Sequence, residues 1–325
     1  MRTGSGRSIS AVGTVAVLVA LAVVAVLGLR AVTGLRVPFL ASEGCTATVD
    51  GRVVDLDIEQ AANASLIAAI GVRRDLPARA VSIALATAYQ ESDLYNLDYG
   101  DRDSLGLFQQ RPSQGWGTVE EVGDPVFATN AFYDALVRVS DYQGLEITDA
   151  AQAVQRSGFP SAYADHEDDA KTLASALTGY SPEAFACSLN GDAEPASAEL
   201  VDSGLTNRAE AVRLDVAGVF GELPLGGFEP GGVSSGHMEG STHYEGRAID
   251  LFFRPINADN KRRGWALAAY LVAQADRLGV QTVIFDDRIW RAGRDDSWRD
   301  YNAPSSAGDR AVLEHRDHVH VDVFS

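Results

Sequence analysis

The sequence predicts a multidomain chain: an N-terminal transmembrane helix, then a mostly α-helical region, then an α+β region. Three observations predict this order. Residues 9–29 contain no charged side chain. Between residues 57 and 179, apolar residues recur at the i, i+3, i+4 spacing of amphipathic helices. Beyond residue 205, helical patterns alternate with short β-branched runs that read as strands. A length of 325 residues suits two domains with a segment left over.

The elements follow in order. Residues 1–8 make a short cytoplasmic tail with Arg2 and Arg7. The segment 9–30 is long enough to cross ~30 Å of hydrocarbon as a helix, and it reads as a signal-anchor. A cleaved secretory signal is the alternative, but its apolar core is usually shorter and ends in a small-residue site. Either reading places the remaining chain outside the cytoplasm. No second apolar run of that length exists, which excludes a multi-span transporter. A linker, 31–44, leads to a region at 45–188. It contains helical patterns at 57–72, 78–92, 130–139, 149–158 and 165–179, broken by a polar, Gly-rich loop from Tyr95 to Gly117. Residues 189–204 are small and acidic with Pro and Gly, the composition of a linker. The region 205–325 opens with a helix at 207–220 and a Gly- and Ser-rich loop from Leu225 to Ser241. A buried strand follows at 247–253, then a helix at 261–279 capped by Gly279, and strands at 280–285 and 318–324.

Composition limits the function. A net charge of −18 argues against nucleic acid as a partner, since phosphate binding needs basic patches. The two cysteines, Cys45 and Cys187, are an even pair in an exported chain, which favours a disulfide between the ends of the first region.

Five of the six histidines lie beyond position 236. In "STHYEGRAID", His243 enters a strand that carries Asp250, and Gly246 permits a tight path between them. In "HRDHVHVDV", strand alternation sends His318, His320 and Asp322 to one face and Val319, Val321 and Val323 to the other. A half-exposed strand with a polar outer face would explain the second stretch alone. The two together supply nitrogen and oxygen donors of the kind that bind Zn2+ with one position left open.

These residues resemble the zinc DD-peptidases of the M15 type, a group that includes murein endopeptidases and the hedgehog-like fold. The resemblance covers about residues 205–325. It implies His243, Asp250 and His320 as metal ligands, Asp317 as general base, and His318 as the partner of the attacking water or the oxyanion. His315 would support a ligand or lie on the surface, and His237 would line the cleft or ride on a flexible loop. The group often holds an Arg upstream of the first ligand to grip a substrate carboxylate, whereas "GGFEPGG" places Glu229 there. Arg247, Arg254 and Arg288 are the candidate replacements. The departure favours an endopeptidase over a carboxypeptidase.

In the first region, "YQESDLY" followed by "SLGLFQQ" resembles the "ES … GLMQ" signature of lysozyme-like lytic transglycosylases. "AVQRSGFPSAYADH" is similar to their Tyr-bearing segment. The resemblance implies a lysozyme-like domain with Glu91 as general acid and Gln109 in the turn that floors the sugar cleft. Chemistry asks that Glu91 be partly buried to stay protonated, with Tyr89, Leu107 and Phe108 as its cover. Trp116 and Tyr163 are candidates for stacking on sugar rings. A hydrolase would want a second carboxylate, for which Asp98, Asp101 and Asp103 are available. Both resemblances imply peptidoglycan as the partner polymer, reached from a membrane anchor, with Zn2+ as cofactor. A wall-binding protein without catalysis, or an envelope scaffold with a closed, structural zinc site, are the rival readings.

Overall fold

Strand β1 (Gly44–Val49) pairs antiparallel with both β2 (Arg52–Leu56) and β3 (Phe185–Ser188). The first and last stretches of the helical region thus close on each other. Cys45 lies opposite Cys187 in the β1–β3 register, and the two form the expected disulfide. This computed structural model describes residues 43–305 and 308–325. The tail 1–8 and the transmembrane helix expected at 9–30 lie outside the described residues. Among the described residues, no helix is long and apolar enough to cross a membrane.

Five helices of the first region fall where the sequence pattern expects them, although the one expected at 130–139 starts earlier, at Pro125, because Asp124 caps it there. They are α1 (Ile58–Arg73), α2 (Ala78–Ser92), α4 (Pro125–Leu136), α5 (Ile147–Gln155) and α6 (Glu167–Leu177), with the short α3 (Val119–Gly123) before α4. Helix α1 starts at a reciprocal cap. The Asp57 carboxylate accepts from the Gln60 amide at 2.9 Å, and the Gln60 side chain accepts from the Asp57 amide at 3.1 Å.

The second region contains a six-stranded sheet in the order β4-β5-β9-β6-β7-β8, with every neighbouring pair antiparallel. Its strands are β4 (Leu225–Gly226), β5 (Ala248–Phe252), β6 (Val280–Phe285), β7 (Arg288–Arg291), β8 (Arg299–Asp300) and β9 (His318–Val323). Helix α7 (Asn207–Phe220) precedes the sheet. Helix α8 (Ala258–Ala273) and the short α9 (Ala275–Leu278) link β5 to β6, and α10 (Arg310–Leu313) leads into β9. The continuous helix expected at 261–279 is interrupted at Gln274, and Gly279 caps α9 in the left-handed conformation.

The two regions share one contiguous core, and Glu43–Ser325 form one compact unit. Every residue of α8 from Gly264 to Ala273 is buried, because the helix is covered by the sheet on one side and by α1 on the other. The indole nitrogens of Trp290 and Trp298 donate to the carbonyls of Cys187 and Phe185, each at 2.9 Å. Gln274 donates to the carbonyl of Ala62 in α1 at 2.9 Å. The first region is therefore less purely helical than its pattern, since β1 and β3 cap one end of the shared core.

Strand β9 departs from the half-exposed strand that its alternation suggests. All six of its residues are buried. It is an inner strand between β5 and β6, and loops cover its polar face. The histidines on that face are therefore enclosed.

Candidate functional site

The polar face of β9 meets β5 in a register that pairs His320 directly with Asp250. His243 comes from a 3-10 turn, Thr242–Glu245, just ahead of β5. Gly246 ends that turn in the left-handed conformation at φ 65°, the tight path expected between His243 and Asp250. Three donor atoms converge. Asp250 Oδ1 lies 3.1 Å from His320 Nδ1 and 3.3 Å from His243 Nε2, and the two histidine nitrogens are 3.2 Å apart. The edge of a tetrahedron with bonds of about 2.0–2.1 Å to its centre is roughly 3.3 Å, so the triangle has the size of one face of a tetrahedral metal site.

The surroundings prepare these donors. His243 donates from Nδ1 to the Gly227 carbonyl at 2.7 Å, which leaves the Nε2 lone pair facing the other two donors. That contact needs Gly227. A Cβ there would stand 2.3 Å from the His243 ring, and its φ of +81° is one that other residues rarely adopt. Burial alone would raise the Asp250 carboxyl, but hydrogen bonds from His243 and His320 outweigh it and hold the group well below the usual range. Burial alone would lower His320. The carboxylates of Asp250 and Asp322 outweigh it and push the imidazole up to about 9. Such a cluster of lone pairs is held together either by protons or by a cation. His237, His243 and Asp250 also present ligand atoms within 4.8 Å of one another, a set that could hold a metal ion.

Beside the triangle runs a second chain of contacts. His318 Nε2 is 3.7 Å from Asp250 Oδ1. Its Nδ1 donates to Asp317 Oδ1 at 2.7 Å, and the other Asp317 oxygen accepts from Arg254 Nε at 2.6 Å and lies 2.6 Å from Arg254 Nη2 in an ion pair. Both Asp317 oxygens are thus engaged behind His318. Arg254 lies over the Phe252 ring at 4.0 Å and remains half exposed, with side-chain exposure of 53%. Arg247 and Arg288 are engaged elsewhere, Arg247 with Glu245 and the Val323 carbonyl, Arg288 with Glu183 and Asp300. His315 is half-buried rather than on the open surface. Its ring packs 4.6 Å from that of His318 and 5.6 Å from that of His320, and its Nδ1 has no hydrogen-bond partner. Burial lowers its imidazole to about 3, and its backbone is left-handed at φ 52°. A non-Gly residue in that conformation persists only where its surroundings enforce it.

The Glu91 cluster forms away from this centre. Glu91 sits in the last turn of α2, half-buried, and accepts from the Tyr163 hydroxyl at 2.6 Å. Burial raises its carboxyl above the usual range, and bonds from Tyr163 and Gln155 partly offset that rise. Ser92 Oγ donates to the Leu107 carbonyl at 2.8 Å, tying the helix end to the "GLFQQ" turn. Gln155 donates to the Phe108 carbonyl at 2.7 Å. Leu107 and Phe108 are fully buried, whereas Tyr89 is half-buried and stacks on His166. Trp116 and Gln155 line one groove with Gln114, Val154 and Arg156. Gln109 does not turn toward Glu91. Its amide bonds the Tyr99 carbonyl and Ser104 and holds the loop itself. Tyr163 is fully buried, so its hydroxyl serves Glu91 and no ring face is free to stack on a sugar. Asp103 is held by Arg111 and Ser113.

Gln155, Gly227 and Tyr244 are site residues that sequence reasoning misses. Gly227 reaches His243 through a β4–β5 pairing of only two residues, too short to leave a pattern. Gln155 lies at the end of an ordinary amphipathic helix. Tyr244 has a visible signal in its position next to His243.

Residues 201–312 match the family model described as VldE, C-terminal domain. That segment takes in His237, His243 and Asp250 and stops short of His315. No curated protein matches the chain.

Proposed function

We propose that the protein is an extracytoplasmic peptidoglycan hydrolase. In this reading, a zinc-dependent peptidase site in residues 205–325 cuts stem-peptide or cross-link bonds, and Glu91 lies in a second site that cleaves or binds glycan strands. One observation carries the peptidase reading: the donors of His243, Asp250 and His320 stand 3.1–3.3 Å apart beside the His318–Asp317–Arg254 chain. His243, Asp250 and His320 would hold Zn2+, which when bound supplies a Lewis acid for a peptide carbonyl and a more acidic water.

The chain's own residues carry the protons. Asp317 accepts from His318 Nδ1 and so keeps the Nε2 lone pair turned toward the site. His318 Nε2 takes the proton of the attacking water and returns it to the leaving amine. Because both Asp317 oxygens are engaged, we assign Asp317 the orienting role and His318 the transfer. Once protonated, His318 lies close to the developing oxyanion and stabilises it. Arg254 steadies Asp317 and leaves an exposed edge toward an anionic substrate group.

Glu91 fits a general acid. Its carboxyl is raised by burial, as protonating a glycosidic oxygen requires, and Tyr163 and Gln155 orient it.

The test is metal analysis of the purified protein together with mass spectrometry of muropeptides it releases from purified wall. Stoichiometric zinc, lost in His243→Ala, with cut peptide bonds that disappear in the same variant, is the expected result. Wild-type protein that holds no zinc and releases nothing would sink the enzyme reading.

A further inference from the structure

His237 is not used by the mechanism above, yet it lies against the metal triangle. It belongs to the loop between β4 and the His243 turn, flanked by Gly236 and Gly240, both at positive φ. Its ring stacks on His243 with centroids 3.9 Å apart and planes at 20°. A ligand nitrogen of His237 lies within 4.8 Å of the donor atoms of His243 and Asp250. The loop is also fastened at this residue. The Tyr244 hydroxyl accepts from the His237 amide at 3.0 Å and donates to the His237 carbonyl at 2.5 Å. One phenol therefore satisfies both backbone groups of His237, and it is carried by the residue next to His243. Met238, the following residue, is exposed, so the clasp acts on His237 itself and not on a packed loop.

We infer that His237 is a loop-borne fourth metal ligand, clasped by Tyr244, which closes the site in a resting state and must swing away to admit substrate. The His237 nitrogen lies within 4.8 Å of the His243 and Asp250 donors, against roughly 3.3 Å between tetrahedral ligand atoms, so coordination requires the loop to close in and the His237 ring to turn out of its stack on His243. A site with four protein ligands has no open position, whereas catalysis needs one. The loop then serves as a lid whose latch is the metal. The substrate's carbonyl or a water competes with one imidazole. The same ligand count would distinguish a latent enzyme from a purely structural metal site, because a latent site opens when His237 is removed.

This inference rests on the metal reading of His243, Asp250 and His320, and the experiment separates the two. Full-length wild type, His237→Ala, Tyr244→Phe and His243→Ala are loaded with Zn2+ and titrated with a chelator, and Co2+-loaded samples are compared by visible absorption. His237→Ala is expected to bind Zn2+ about tenfold or more weakly, and the Co2+ spectrum should change as a solvent oxygen replaces a nitrogen. Tyr244→Phe, which keeps the ring and loses only the clasp, should shift both readouts in the same direction by a smaller amount. It carries the test if His237→Ala does not fold. Wild type that binds metal, with both variants unchanged in affinity and spectrum, overturns the inference and leaves the metal reading intact. Wild type and His243→Ala that both fail to bind metal overturn the metal reading itself.

Discussion

Removing the Cys45–Cys187 bridge is the perturbation whose size follows most directly from the structure. The two cysteines are 142 residues apart in sequence, and both are buried. Closing a loop of that length in the unfolded chain removes entropy equivalent to about 5 kcal/mol at room temperature in the chain-entropy account. For a unit of this size that corresponds to a fall in melting temperature of roughly 8 °C. The bridge joins β1 to β3, and β3 in turn accepts the indole hydrogen bonds of Trp290 and Trp298. Its loss should therefore be felt by the sheet half as well as the helical half. The assay is urea unfolding of the wild type and the Cys45→Ala/Cys187→Ala double variant, each with and without dithiothreitol. The reductant should move the wild type to the variant's midpoint and leave the variant unchanged. A wild type and variant within about 1 kcal/mol of each other would refute the reasoning, because the unfolded chain would then not be constrained by the bridge.

Four further outcomes are expected. Gly227→Ala places a methyl 2.3 Å from the His243 ring at a φ of +81°, so metal content should fall together with thermal stability; unchanged zinc would show that the Gly227 contact does not position His243. Asp317→Asn should keep the metal but lower peptide cleavage about 10–100-fold, and equal cleavage by the two proteins would remove Asp317 from the orienting role. The metal-free protein holds a proton on His320 up to a pH of about 9, and metal binding must expel it, so apparent zinc affinity should rise about tenfold per pH unit below that value; a flat profile between pH 6.5 and 8.5 would contradict this. Burial raises the Glu91 carboxyl, so the folded state keeps its proton to higher pH than the unfolded chain, and stability from this group falls as pH rises through the folded value. Glu91→Gln should accordingly melt close to wild type in acid and above it at neutral pH, and a pH-independent difference would argue against the buried acid.

Much of the fold was legible because its signals are local. The helices at 58–73, 78–92 and 207–220 announce themselves by apolar spacing and, for the first, by the Asp57–Gln60 cap. The strand at 280–285 is equally plain from its β-branched run. The strands at 44–49, 52–56 and 185–188 were not, since they are short and gain their partners from across the chain. The same division runs through the site. Only when the two stretches are taken together do His243, Asp250 and His320 read as a metal site, since "HVHVDV" alone also reads as a strand with one polar face.

What the sequence by itself determined is therefore the helical framework, the β-branched strands and the Glu91–Ser92 helix end, all properties of neighbouring residues and their periodicity. Tertiary structure alone decided that Asp250 faces His320 across a strand pair, that Arg254 occupies Asp317, and that Gly227 orients His243. It also decided that the two regions share one core. These are contacts between residues many positions apart. Their register depends on which strands become neighbours and which faces are buried together, and no local pattern specifies either.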